Sequence, residues 1–151
     1  MTLTGPTGSF ELTVLDYEYS DSLRFLERNG LLVHLRTHHQ NHEWAQAAPV
    51  LSTWELEMLC DWMRSVVNRR AAPHNHQSHR ITFVEPDLSF SDFSAENEDF
   101  DLRLKLSHEA QPSWQYGSKQ PFYLTLTPDA KQLQNAIADL DQQLKQFPVR
   151  D

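Results

Sequence analysis

The stretch from Leu51 to Val67 most constrains how this chain folds. Leu56, Leu59, Cys60, Met63, Val66 and Val67 recur at helical spacing and make one apolar stripe, and Trp54, Met58 and Trp62 widen it into a broad arc. Ser52 and Glu55 have the spacing of a capping box, in which the hydroxyl accepts a free helical N–H and the carboxylate reaches back to the cap. Arg69, Arg70 and then Pro73 predict the end of the helix, with cations at its negative pole. A helix this apolar has to be covered, and the segments on either side alternate with period two, so they are expected to form a sheet beneath it.

Those segments can be read one by one. Phe10, Leu12 and Val14 alternate with polar residues, the phase slips at Val14–Leu15, and Leu15, Tyr17 and Tyr19 then alternate, which predicts a strand carrying a β-bulge. Leu31, Val33 and Leu35 predict a second strand after the turn signal Asn29–Gly30, residues 37–42 a polar turn, and residues 43–48 the returning strand. Residues 80–84, Leu88 to Phe93, Phe100 to Leu106 and Phe122 to Leu126 predict a second group. Thr127, Pro128 and Asp129 predict a helix with Thr127 as N-cap, and its narrow seam is Leu133, Ile137, Leu140, Leu144 and Phe147. The expected fold is α+β: a mainly antiparallel sheet of six to seven strands with two helices packed on it, in a single domain over residues 1–151 with residues 1–8 loose.

Composition narrows the function classes. Thirteen Lys and Arg against 21 Asp and Glu give a net charge of −8, which disfavours nucleic acid as a partner and favours basic ones. No run approaches the ~18 apolar residues of a membrane span. The N-terminus lacks the basic and apolar regions of a signal peptide, and the one cysteine, Cys60, rules out a disulfide framework, so a reducing cytoplasm is the expected location. Cys60 lies on the core face of a helix, where a thiol is inert. The four glycines fit no phosphate-binding or nucleophile-elbow motif, and no catalytic pattern emerges, so the expectation is a protein that is not an enzyme and needs no cofactor.

Two clusters remain. Between Glu85 and Asp101 lie seven acids and no Lys or Arg. The functional reading is a docking surface for a basic partner, with Asp92, Glu96, Glu98, Asp99 and Asp101 as contact residues. The plain reading is a solvated turn that keeps an edge hairpin from pairing with other chains. Histidines form the second cluster: His38, His39 and His42 in one segment and His74, His76 and His79 in another. If the helix runs back along the preceding strand, both segments reach one end of the molecule, and a small-ligand or metal-binding site becomes the alternative function. No HExxH or Cys/His pattern supports it. Trp114, in the loop over residues 107–120, is either a lid on the core or an interface anchor.

Several short stretches fall in an order and spacing that resemble the WapI family of bacterial immunity proteins: Phe10-Glu-Leu-Thr-Val, Leu51-Ser-Thr-Trp-Glu-Leu, Asp61-Trp62, Phe83-Val-Glu-Pro-Asp-Leu-Ser-Phe90 and Phe147-Pro-Val-Arg150. The resemblance spans residues 9 to 150, and Glu85 to Phe90 is its most specific piece. It implies a non-enzymatic, cytoplasmic antidote that binds and blocks a toxin domain delivered by a neighbouring cell, in this family one thought of as a nuclease acting on RNA. Trp54, Trp62, Phe83, Pro86, Leu88 and Phe90 are apolar or turn-forming and are expected to be scaffold. A nuclease presents cations to phosphate, so an acidic face suits its neutraliser.

Overall fold

The computed structural model describes residues 1–69, 79–94 and 99–151. Among these the fold is α+β, with two four-stranded antiparallel sheets and three helices, in place of the single sheet and two helices expected. The first sheet is built from β1 (Thr2–Thr4), β2 (Gly8–Tyr17), β3 (Gly30–His39) and β4 (His42–Ser52), in that order, and a four-residue helix, α1 (Phe25–Arg28), lies between β2 and β3. The long helix α2 (Thr53–Arg69) follows β4 directly. The second sheet is β5 (Arg80–Thr82), β6 (Leu88–Asp92), β7 (Leu102–Leu106) and β8 (Phe122–Leu126), and α3 (Ala130–Gln146) ends the set.

Local sequence explains the shapes of these strands. Pairing between β2 and β3 jumps from Val14↔Val33 to Asp16↔Leu32, so the phase slip at Leu15 is a β-bulge. A second register shift falls between Leu31↔Leu51 and Val33↔Ala48, next to Pro49, whose missing N–H suits an irregular ladder. The two sheets meet at their edges, where the Thr127 N–H donates to the Thr4 carbonyl at 2.9 Å. The approach there is so close that a Cβ on Gly5 would lie 2.0 Å from the Thr125 carbonyl oxygen, so glycine is required. Period-two alternation marks each strand and its buried face but carries no signal for where one sheet stops and the next begins.

The N-terminal residues, expected to be loose, pair with Ser9–Glu11, and Leu3 is fully buried. Three residues are too few for periodicity to be seen. The N-cap of α3 is Asp129, whose carboxylate accepts the Gln132 N–H at 2.7 Å, and Thr127 is instead held by its bond to β1. The polar turn expected at residues 37–42 shrinks to Gln40–Asn41, because β3 runs on to His39 and β4 starts at His42.

The core lies between the sheets and under the helices. Phe10 of β2 meets Phe90 of β6 edge-on at 6.1 Å, and Trp62 of α2 packs on the same Phe90 ring at 6.0 Å. Beyond β1, α3 covers the edge of β2: the Gln143 amide accepts the Val14 N–H at 2.7 Å beside the bulge. Arg64 binds α2 to α3 through both carboxylate oxygens of Asp141, each at 2.5 Å.

Glu55 joins three chain segments. Its Oε2 accepts the Ser52 N–H and the Ser52 hydroxyl, both at 2.8 Å, which is the capping box, and its Oε1 accepts the Val84 N–H at 2.7 Å. The carboxylate is thus both helix cap and tie to the loop after β5, and Glu55 is buried. Glu55→Ala leaves both backbone donors without partners and should cost about 3 kcal/mol, while Glu55→Gln, with one acceptor left, should cost about half as much. Urea unfolding with an unchanged denaturant slope checks both values.

Candidate functional site

Among the described residues the acids between Glu85 and Asp101 do not share one face. Strand β6 separates Glu85 and Asp87 at its start from Asp99 and Asp101 beyond its end. Asp92 is buried: Arg69 at the end of α2 pairs with its Oδ2, and the Ser94 N–H donates to its Oδ1 at 2.9 Å. This carboxylate fixes the helix terminus to β6 and is not presented to solvent. Asp99 and Asp101 are exposed, while Glu96 and Glu98 lie outside the described residues. The Phe93 N–H donates to the Asp101 carbonyl, and the Asp101 N–H donates to the Ser94 hydroxyl. Exposed Phe93 carries the Arg103 guanidinium over its ring at 4.6 Å.

The other acids enter a second arrangement that the sequence did not reveal. Glu85 and Asp87 line an open groove of about 520 Å³ with Glu18, Glu109, Pro49, Pro86 and His108. Glu18 and Glu109 are distant in sequence, so only the fold brings them to Glu85, and their separate positions gave no signal. Burial pushes the Asp87 carboxyl above its ordinary range, against the pull of nearby His108. Pro86, expected to be scaffold, is exposed on this groove. Of the other motif residues, Trp62, Phe83, Leu88 and Phe90 are buried as expected, but Trp54 is only half-buried and stacks on Phe25 at 6.0 Å with the planes 10° apart.

Among the described residues the histidines do not converge on one site. His39 and His42 are register partners on one face of the first sheet, where His39 meets Phe122 edge-on and His42 leans on Trp114. His38 is adjacent to His39 on the strand and so faces the opposite side. His79 accepts an N–H from Arg69 at 2.9 Å, a cationic neighbour unfavourable to a metal ion. His74 and His76 lie outside the described residues. Among the described residues no group of three or more His, Cys, Asp or Glu is placed to hold a metal. Trp114 packs on Phe122 at 5.6 Å and acts as a lid on the core.

Cys60 is fully buried, with its thiol 3.4 Å from Asp141; burial first and this carboxylate second push its pKa to about 12. It should resist thiol reagents at neutral pH in the folded protein and label promptly in denaturant. The Asp87 shift gives a pH test. A carboxyl whose folded pKa is raised favours the fold below its unfolded pKa, and that contribution is lost as pH rises through the folded value. Asp87→Asn should therefore leave the chain at least as stable as the native protein at neutral pH, with the difference closing toward about pH 4. Thermal unfolding across that range checks it.

No helix among the described residues is long and apolar enough to cross a membrane. None of the curated proteins matches the chain. The model of the immunity protein WapI-like family matches residues 2–148, nearly its whole length, and takes in the capping box, the Glu85–Phe90 segment and both long helices. The chain belongs to the WapI-like family of immunity proteins.

Proposed function

We propose that this protein is a cytoplasmic antidote, without enzymatic activity of its own, that binds a toxin domain and blocks it, and that the toxin domain is a basic nuclease occluded by an acidic face. Family membership carries this reading. The net charge of −8 supports it, because a nuclease offers Lys and Arg to phosphate and an acidic protein competes for the same cations. Glu96, Glu98, Asp99 and Asp101 are the proposed contact acids, and the exposure of Asp99 and Asp101 is in keeping with that role. Asp92, held by Arg69, would act only by keeping the turn in place.

The first experiment is affinity capture with this chain as bait and elution by stepped salt, followed by a nuclease assay of the eluted protein with and without added bait. A basic nuclease released at high salt and inhibited in a one-to-one ratio is the expected result. Reversing Glu96, Glu98, Asp99 and Asp101 to Lys should slow association about tenfold or more and flatten its dependence on salt. Unchanged association kinetics would remove these four residues from the interface.

A further inference from the structure

A group of exposed apolar side chains lies at the N-terminal end of α2. Helix α1 and its approach present Leu23, Phe25 and Leu26, which are 96%, 47% and 69% exposed. Phe25 stacks on Trp54 in the first turn of α2, and Met58, one turn further on, is 49% exposed. The Glu55 carboxylate draws in the Val84 backbone, so Val84, 82% exposed, sits beside the same turn. Phe25, Trp54 and Met58, with Val84 tied to the same helical turn through Glu55, form a ledge drawn from three segments that are far apart in sequence.

The ledge is built rather than loose. Asn29, fully buried, donates from its side-chain amide to the Phe25 carbonyl at 2.9 Å and to the Arg150 carbonyl at 2.8 Å. Its own backbone carbonyl accepts the Thr53 N–H at 2.9 Å, which ties α1 to the start of α2. Arg150 returns bonds to Arg28 and Ser20 and lays its guanidinium over Tyr17 at 3.6 Å. Apolar side chains held open by this much hydrogen bonding need a reason beyond packing.

The charge around the ledge indicates the occupant. Of the cations at α1, Arg24 pairs with Glu27 at 3.0 Å, Arg28 donates to the Asp151 carbonyl, and Arg150 donates to the carbonyls of Arg28 and Ser20. Glu57 on α2 and Glu85 beside Val84 are exposed, and the groove with Glu18, Asp87 and Glu109 opens next to Val84. An apolar centre with an acidic rim fits a protein surface of the opposite design, an apolar protrusion flanked by Lys or Arg.

We infer that the Phe25–Trp54–Met58–Val84 ledge is where the basic toxin domain seats, with the acidic groove taking a cationic side chain from its rim. This rests on the antidote reading above. It puts the anchoring surface at the N-terminal end of α2, while Asp99 and Asp101, near the other end of that helix, are contact acids that act mainly on the association rate.

The probe is the nuclease obtained by the affinity capture above, purified with its catalytic residue replaced. Met58→Asp and Val84→Asp change exposed side chains and should leave the circular dichroism and unfolding midpoint unaltered. Each should weaken binding at least about tenfold through faster dissociation. Asp99→Lys with Asp101→Lys should alter association alone. Native-like affinity in both ledge variants, with the native chain binding well, overturns the ledge and leaves the antidote reading standing. A native chain that fails to bind this toxin domain overturns both. A concentration-dependent dimer in sedimentation that Met58→Asp abolishes assigns the ledge to a second copy and overturns it as a toxin surface.

Discussion

The Glu55 carboxylate is the interaction on which most of this structure depends. One buried anion accepts from the last residue of β4, from the cap hydroxyl of α2 and from the backbone that leaves β5. Both sheets and the helix between them are therefore referenced to a single side chain. A buried charge is costly unless its lone pairs are satisfied, and here three donors from two segments satisfy it. The angle at which α2 leaves the first sheet also decides how Trp62 meets Phe90 in the second.

Much of this was legible in the sequence because it is local. The capping box, the length of α2, the bulge at Leu15 and the alternation of β7 all depend on neighbours within a few positions, and each signal had a mechanism. What escaped was set by tertiary contact. Strand β1 exists because Ser9–Glu11 offer it an edge, and the Thr127 N–H still bonds to Thr4 of that strand, so α3 starts only at Ala130 with Asp129 as its cap. The division into two sheets depends on which strand edges approach, and periodicity does not encode that.

The candidate site shows the same limit more sharply. The seven acids between Glu85 and Asp101 are a run in sequence and, among the described residues, not a surface. The fold puts Asp92 into the interior with Arg69, sends Glu85 and Asp87 to a groove with Glu18 and Glu109, and leaves Asp99 and Asp101 at the opposite end of β6. Histidines behaved similarly: adjacent residues on a strand point to opposite faces, so His38 and His39 are neighbours in sequence and not in space. Trp54 reads as scaffold in the sequence because it is apolar, yet its ring stacks on Phe25 at the surface, and half-buried aromatics of this kind are what interfaces use as anchors.

Asn29 and Arg150 together have one further consequence. The short helix α1 has no buried side chain of its own and no side-chain cap, and four residues cannot sustain helical structure in water. Its shape is therefore borrowed from a segment about 120 positions away, through bonds that any partner would leave untouched. A substitution at Asn29, whose side chain makes these bonds to the Arg150 main chain, would act as an entropic fault. The surface near Phe25 would still contain every residue it had before but would sample many arrangements, and a partner would have to select one of them at the expense of affinity.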